Sequence, residues 1–381
     1  MPKKRTAVVA RDKTAPGLDL ISRGRKGPSA LPLFNPSSSE SMASLQRTLD
    51  RVPEVMVKVT GGGRDPDTAE AHIDYIDRKG ELEVLTDDGE ALKGKDVADF
   101  IVKDWKLETV IHQRHREAPL PGEKDKRAKL VHNIVLSMPQ GTPPQKVLEA
   151  AQFFARENFA LNHRYAMVLH DPATDPKRDK TESGKNPHVH LVVKAVSETG
   201  ERLYIRKDTL QIWREQFAQA LRDLGVEANA TPAAIRGKGK SSAKTAIHQH
   251  QERIEQWRSG GQDEQHKPVA STLLQSRVEQ VINELVNGVE PDLPGKEKLK
   301  ATRQAVMDSW VATENALREA GFPEKADQVV EFIKTLPPVK SDYDVLKDKM
   351  LADKNRLQDA LGQNTQPVDK GVSRYGLMPV R

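Results

Sequence analysis

The chain has no cysteine. Disulfides, thiolate zinc sites and a cysteine nucleophile are therefore excluded, and any metal must rest on His, Asp or Glu. Aromatic residues make up only 4% of the 381 residues, there are 24 prolines, and the mean hydropathy is −0.65. That balance places a sizeable fraction of the chain in linkers, tails or long solvated helices. Nowhere do about 18 apolar residues run together, as a membrane span requires. The opening Met-Pro-Lys-Lys-Arg also lacks the apolar segment of a secretory signal. These absences predict a cytosolic protein without membrane insertion. Acidic and basic residues nearly cancel, 60 Lys and Arg against 55 Asp and Glu, for a net charge of +5. Residues 1–50 carry nine Lys/Arg and four Asp/Glu, so the whole excess sits in this stretch. Rich in Ser, Pro and Gly, it is expected to be a disordered basic arm attracted to phosphate.

What is there is a series of short apolar strands and amphipathic helices. Residues 53–60 alternate enough to form a first strand, closed by Gly61-Gly62-Gly63. These glycines lack the Gly-Lys-Ser/Thr ending of a phosphate loop. Instead Asp65 and Pro66 read as the N-cap and first position of a helix expected to run to about Lys79. Ala69, Ile73 and Ile76 form its buried stripe, which leaves Tyr75 facing out. Residues 81–94 read as a hairpin turning at Asp87-Asp88-Gly89. A second strand, 129–137, ends in Ser137. A helix opened by Pro143 and Pro144 follows, with Leu148, Ala151, Ala155 and Phe159 on its apolar face. Further on, Leu203-Tyr204-Ile205 suggests a short strand. Asp208 is expected to cap a helix whose stripe is Leu210, Trp213, Phe217, Leu221 and Leu224, ended by Gly225.

The chemistry concentrates in Tyr165–His170 and His188–Val193, each of which reads as a short strand. Side chains alternate across a strand, so His188 and His190 project from one face while Val189 and Leu191 point the other way. If the two strands pair antiparallel, His170 joins them as a third imidazole. Three neutral imidazoles leave a metal with open positions for Lewis-acid work on a phosphoryl oxygen. The other His-x-His, His248-Gln249-His250, lies in a polar run expected to be helical. There residues two apart diverge by about 200° and cannot share an ion. The 17 residues Asp171–Pro187 between the histidine strands carry no apolar side chain larger than Ala173 apart from prolines. They form either a flap over the site or a disordered insertion.

A strand, a helix bearing Tyr75, a strand ending in Ser137 and the histidine pair make one α+β domain. The order suggests an antiparallel sheet with helices on one side. A metal beside a tyrosine hydroxyl points to phosphoryl transfer. The phenolate attacks while the ion neutralises the developing charge, leaving a phosphotyrosine and a free hydroxyl. Asp74 faces about 100° away from Tyr75 on the helix, so the metal rather than a neighbouring carboxylate is expected to assist the phenol.

Three stretches, Tyr75-Ile76-Asp77-Arg78-Lys79-Gly80, Leu136-Ser137-Met138-Pro139, and His170-Asp171 with Asn186-Pro187-His188-Val189-His190, resemble the ordered motifs of the P-class mobilisation relaxases. These are HUH endonucleases that start plasmid conjugation and are similar to the T-DNA border nuclease. The likeness spans about residues 53–237 and includes Asn229-Ala230-Thr231-Pro232. It implies that Tyr75 is the nucleophile joined to the 5′ end of the nicked strand. Ser137, with Arg78 and Lys79, would contact DNA. His170, His188 and His190 would hold a divalent ion, Mg or Mn, although three imidazoles by themselves suit Zn or Mn better. In the family the acidic residue stands two positions after the first histidine and the spacer is short. Here Asp171 is adjacent and the spacer long; Asp171 is expected to orient a ligand histidine. Tyr165 is a substitute nucleophile only if the Tyr75 helix fails.

The resemblance implies a site- and strand-specific, metal-dependent DNA nicking enzyme acting on single-stranded DNA at a transfer origin. It would work with accessory DNA-binding proteins and a type IV secretion coupling protein, in the bacterial cytoplasm, and travel with the transferred strand. A rolling-circle replication initiator would use the same chemistry. A non-enzymatic nucleic-acid-binding protein would use the histidines structurally. The expected organisation is a basic arm at 1–50, a nuclease domain at 51–230 and a basic polar linker at 231–268 containing Arg236, Lys238, Lys240 and Lys244. A small all-α domain at 269–362 and a tail at 363–381 follow.

Overall fold

The computed structural model describes residues 31–109, 127–176, 185–238 and 272–363. Residues 1–30 of the arm, the stretch 177–184 between the histidine strands, Lys240, Lys244 and the His248/His250 pair lie outside them, as do residues 364–381 of the tail. In chain order the elements are α1 (Ser39–Leu49), β1 (Met56–Gly61), α2 (Pro66–Ile76), β2 (Val84–Thr86), β3 (Ala91–Leu92), α3 (Val97–Asp104), β4 (Val131–Ser137), α4 (Pro144–Phe159), β5 (Tyr165–His170), β6 (His188–Lys194) and α5 (Lys207–Asp223), then α6 (Thr272–Asn287), α7 (Pro294–Glu319), α8 (Pro323–Lys334) and α9 (Asp342–Gln363).

The strands form one antiparallel sheet in the order β1-β4-β6-β5-β2-β3. The molecule is thus α+β, with helices on both faces of the sheet rather than on one. Val189, Leu191 and Val193 of β6, with Ile134 and Leu136 of β4, meet α4 and α5. Val192, Val168, Ala166 and Val131 project the other way onto α2 and α3. The period of two in these strands creates both cores from one run of apolar residues. Phe154, Phe159 and Trp213 meet edge-on in the first core, with centroids 5.6–6.0 Å apart. The α4 face is wider than its expected stripe, because Val147 and Phe154 are also buried.

Several local expectations shift. Residues 203–205 form no strand; a single bridge joins Val196 and Arg202, and the Leu203 amide donates to Ala195 O at 2.8 Å. The N-cap of α5 is Arg206, with Asp208 inside the first turn. Gly62 has a φ of 126°, and a Cβ there would lie 2.0 Å from the Val131 carbonyl oxygen. The glycine run therefore serves close packing of backbone between β1 and β4.

The described residues fall into two compact units, one within 1–236 and 307–335, the other within 237–306 and 336–381. This divides the helical domain expected at 269–362. It also corrects the disordered arm over its last part, since residues 39–49 are helical. Ser38 caps α1 by accepting from the Ser41 amide, and Leu45 and Thr48 are buried. Trp310 supplies the physical reason. Its ring lies 5.6 Å from that of Phe34 and 5.2 Å from that of Phe332, and its Nε1 donates to Ile235 O at 3.0 Å. Lys325 reaches Gln46 of α1 at 2.7 Å. Apolar surface on the arm and on α7–α8 is buried together, an arrangement no local pattern discloses. Asn229 clamps the same unit: its side chain donates to Thr231 and Thr48, and its backbone pairs with Pro53 and Val55. The second unit is held by Tyr343, whose hydroxyl donates to Glu284 at 2.7 Å, and by Lys296 beside Asp344 at 3.0 Å. Among the described residues no helix is long and apolar enough to cross a membrane.

Candidate active site

The register of the sheet builds the site. His170 lies opposite His188 across β5 and β6, and Ser137 lies opposite His188 across β4 and β6. Met56 pairs with Ser137, and Lys58 with Val135, which itself pairs with His190. Two cross-strand rows result, Met56–Ser137–His188–His170 and Lys58–Val135–His190–Val168, all on the face shared with α2. Helices α2 and α3 cover the far part of this face, whereas Met56 and Lys58 are exposed.

One ring nitrogen from each of His170, His188 and His190 lies within 4.8 Å of the other two. Each ring is held by its other nitrogen. The Nδ1–H of His188 donates to Asn186 O at 2.9 Å, freeing Nε2. The Nδ1 of His190 faces the side-chain amide of Asn133, again leaving Nε2. Asn133 is itself held by Thr60 Oγ1 at 2.9 Å. For His170 the roles reverse: Nε2 lies 2.6 Å from the Ile76 carbonyl oxygen, which can only accept, so the proton is on Nε2 and the lone pair on Nδ1. Carbonyl and amide partners of this kind fix ring orientation in metal sites. Burial keeps the imidazoles neutral. It pushes the pKa of His170 down to about 4 and that of His190 down to about 2, the latter also through its histidine neighbours, and lowers that of His188. Three neutral, oriented, converging imidazoles are a donor set that fits a divalent ion.

Helix α2 delivers the tyrosine. Asp65 caps it in a capping box with Thr68, Pro66 takes the first turn, and Ala69, Ile73 and Ile76 are buried, as their spacing predicted. Tyr75 is 58% exposed. The helix ends at Ile76, three residues before Lys79, because Arg78, Lys79 and Gly80 all adopt positive φ, 60°, 59° and 82°. A Cβ on Gly80 would lie 2.2 Å from the Gly94 carbonyl carbon. Ending there leaves Ile76 among the last carbonyls of the helix, which lack intrahelical partners, and His170 supplies the donor. Asp77 is fully buried behind this turn, and burial pushes its pKa up.

Arg78 links the two halves. Its Nε and Nη2 donate to the two oxygens of Asp175 at 2.9 and 2.8 Å, and its Nη1 donates to Tyr75 O at 3.0 Å. Nη2 also lies 3.2 Å from the free Nδ1 of His170, and Cζ is 5.4 Å from the Tyr75 ring centroid. Lys79 is exposed. Ser137 is buried, with its hydroxyl directed to Pro187 O at 3.2 Å, so it ties down the loop entering β6. Asp171 does not face a ligand histidine through its carboxylate. Its Oδ1 accepts from the Ala173 amide at 2.8 Å, and its carbonyl accepts from the amides of Thr174 and Asp175. That turn brings Asp175 back, with Oδ2 3.5 Å from His170 Nδ1. Tyr165 is buried in the sheet beside Phe159. Sequence reasoning missed Asp175, Asn133 and Lys58. An amide in the middle of the apolar strand 131–137 was the available signal for Asn133; for Asp175 there was none, since a turn decides its place.

Residues 84–226 match the family model described as relaxase, MobA/VirD2-like, nuclease domain. The three histidines therefore sit in a segment that resembles a nuclease domain of a DNA-nicking class. More particularly, this segment is similar to the nuclease domain of MobA/VirD2-like relaxases, the family whose motifs the sequence resembles. The matched segment contains Ser137, Asp171 and all three histidines, whereas Tyr75 and Arg78 precede it. No curated protein matches the chain. A solved structure from work on the molecular basis of vancomycin resistance transfer in Staphylococcus aureus is similar over 47% of this chain and 98% of its own. At 14% identity and a TM-score of 0.24, that likeness carries no argument.

Proposed function

We propose that the chain is a conjugative or mobilisation relaxase that nicks one DNA strand at a transfer origin by tyrosine transesterification. The observation that carries this reading is the hydrogen bond from His170 Nε2 to the Ile76 carbonyl, which joins a three-imidazole centre to the end of the helix bearing an exposed tyrosine. In this reading Tyr75 is the nucleophile. Its Oη–P bond forms as the P–O3′ bond breaks, the phenolic proton is lost and the 3′ oxygen gains one. The products are a 5′-phosphotyrosyl strand and a free 3′-OH, and the reverse step rejoins the ends. His170 through Nδ1, with His188 and His190 through Nε2, would hold a divalent ion, Mg or Mn. When bound, that ion supplies Lewis-acid polarisation of the phosphate's nonbridging oxygens.

The chain's own groups do the rest. Asn133 and the Asn186 and Ile76 carbonyls fix the imidazoles, and the Arg78 guanidinium beside Tyr75 offers a phosphate contact. Lys58 and Lys79, both exposed, add cations that make single-strand binding salt-dependent. Ser137 positions the loop before His188 and so shapes the DNA-facing end of the site. We assign nicking to the unit built on the sheet, and assign accessory and coupling-protein contacts of a type IV secretion route to the remaining helices. The enzyme would act in the donor cytoplasm and travel attached to its strand.

The test is incubation of the protein with labelled single strands tiled across a candidate transfer region, with Mn, Mg or EDTA. An SDS-resistant adduct at one site, dependent on metal and lost in Tyr75→Phe, is expected. Tight binding with no adduct on any strand in either metal would overturn the reading and leave a binding protein with structural histidines.

A further inference from the structure

Arg78 donates toward the one ring nitrogen of His170 that could bind an ion. The Nε2 of that imidazole is committed to the Ile76 carbonyl at 2.6 Å, so Nδ1 is its one available lone pair. Arg78 Nη2 lies 3.2 Å from this atom and is an obligate donor. A ligand nitrogen and its metal are about 2.0–2.1 Å apart along the lone pair, the direction the guanidinium hydrogen already uses. One lone pair cannot serve both. The guanidinium is held there firmly, with a two-pronged pair to Asp175 at 2.9 and 2.8 Å and side chains 9% and 8% exposed.

We propose that Arg78 competes with the divalent ion for Nδ1 of His170, so that ion binding displaces a guanidinium that then serves the DNA phosphate beside Tyr75. This rests on the three-histidine centre proposed above. Arg78 sets when the third ligand is available, and its contacts with the Tyr75 carbonyl and ring place it beside the proposed nucleophile. Metal and DNA are coupled by the same displacement. An ion that frees the guanidinium raises DNA affinity, and bound DNA raises ion affinity by the same factor. If the Arg78–His170 bond is made nine-tenths of the time, apparent ion affinity is reduced about tenfold.

The experiment is Mn titration of the full chain by calorimetry, without DNA, for wild type, Arg78→Met and Arg78→Gly. The methionine keeps the stem without the donors, and the glycine suits the positive φ at this position. Circular dichroism and melting would establish that each variant is folded. Both variants are expected to bind Mn about tenfold more tightly than wild type. A residue that merely supports the site would weaken binding when removed, so equal or weaker binding in the folded variants overturns the proposal. The comparison is repeated in an Asp175→Asn background. Tightening that vanishes there would assign the effect to the carboxylate relieved of its partner, and would also overturn it. His170→Ala and His190→Ala distinguish the two levels: if neither changes Mn binding, the metal centre itself fails and the inference with it. As a second readout, saturating Mn should raise wild-type affinity for a fluorescent mixed-sequence single strand, and Arg78→Met should lose that gain. No gain in wild type would refute the displacement onto DNA.

Discussion

His170 stands 94 residues after Ile76, yet its Nε2 lies 2.6 Å from the Ile76 carbonyl oxygen. The His170 imidazole is thus oriented by the end of the helix that carries Tyr75. The helix must stop where it does for this bond to form, and the left-handed turn at Arg78, Lys79 and Gly80 stops it. Tyr75 and the histidine cluster are thus tied by one side chain-to-backbone bond, which substitutions of the Ile76 side chain leave in place and loss of the His170 ring removes.

Tyr75→Phe is expected to abolish covalent adduct formation while leaving stability within about 0.5 kcal/mol, as for other exposed positions away from caps and cores. Single-strand binding should survive. Tyr165→Phe should retain the adduct, because that ring is buried against Phe159. Gel analysis of adducts for the pair checks the assignment, and an adduct persisting in Tyr75→Phe would sink it.

Asn133→Ala should weaken Mn binding by about 10- to 100-fold, the usual effect of removing a group that orients a ligand imidazole. Asn133 faces His190 Nδ1 and is held by Thr60, so its loss frees the ring to rotate. Calorimetric titration reads the change. Unaltered affinity would mean that the sheet alone orients His190.

Acid should destabilise the sheet unit over a defined window. Burial depresses His132 and His170 to about 4 and His190 to about 2, and lowers His72, His163 and His188. Below pH about 6.5 the unfolded chain binds protons that these folded imidazoles refuse. Stability is therefore complete above that pH and declines as pH falls toward 4, by about 1.4 kcal/mol for each unit of depression per group. Urea melts of the metal-free protein between pH 7.5 and 4.5 would show a falling midpoint. A flat profile across pH 6.5 to 4.5 would contradict the neutral, buried assignment.

Trp310→Ala is expected to destabilise the sheet unit by about 3–5 kcal/mol, in the range for deleting a buried aromatic. Although it lies beyond residue 300, Trp310 packs on Phe34 and Phe332 and bonds Ile235. Denaturant unfolding followed in that unit tests it. A change confined to the C-terminal helices would place Trp310 outside the nuclease unit.

Much of the fold was legible in the chain. Asp65-Pro66 opens α2, Gly89 turns the hairpin with a φ of 89°, and Gly225 ends α5. Each is a local signal with a local cause. The expectation of α2 running to Lys79 failed because helix-compatible residues at 78 and 79 were forced into a left-handed turn, a choice made by packing. Helices on both sheet faces were missed although residues 134–136, 165–169 and 191–193 are continuous apolar runs, the pattern of strands covered on both sides.

The sequence by itself determined the chemistry available: no thiol, three strand-borne histidines whose alternation puts two on one face, and a tyrosine turned away from its helix's apolar stripe. Periodicity is a property of consecutive residues, so such facts need no fold. Only the tertiary structure decided which nitrogen of each histidine is free, that Asp175 rather than Asp171 comes back to His170, and that Arg78 reaches His170 Nδ1. It also decided that α7 and α8 complete a core begun by Phe34 and α1. These depend on contacts between residues tens to hundreds of positions apart, set by strand register, by where a helix ends and by burial of shared apolar surface, none of which is encoded in any short window of the chain.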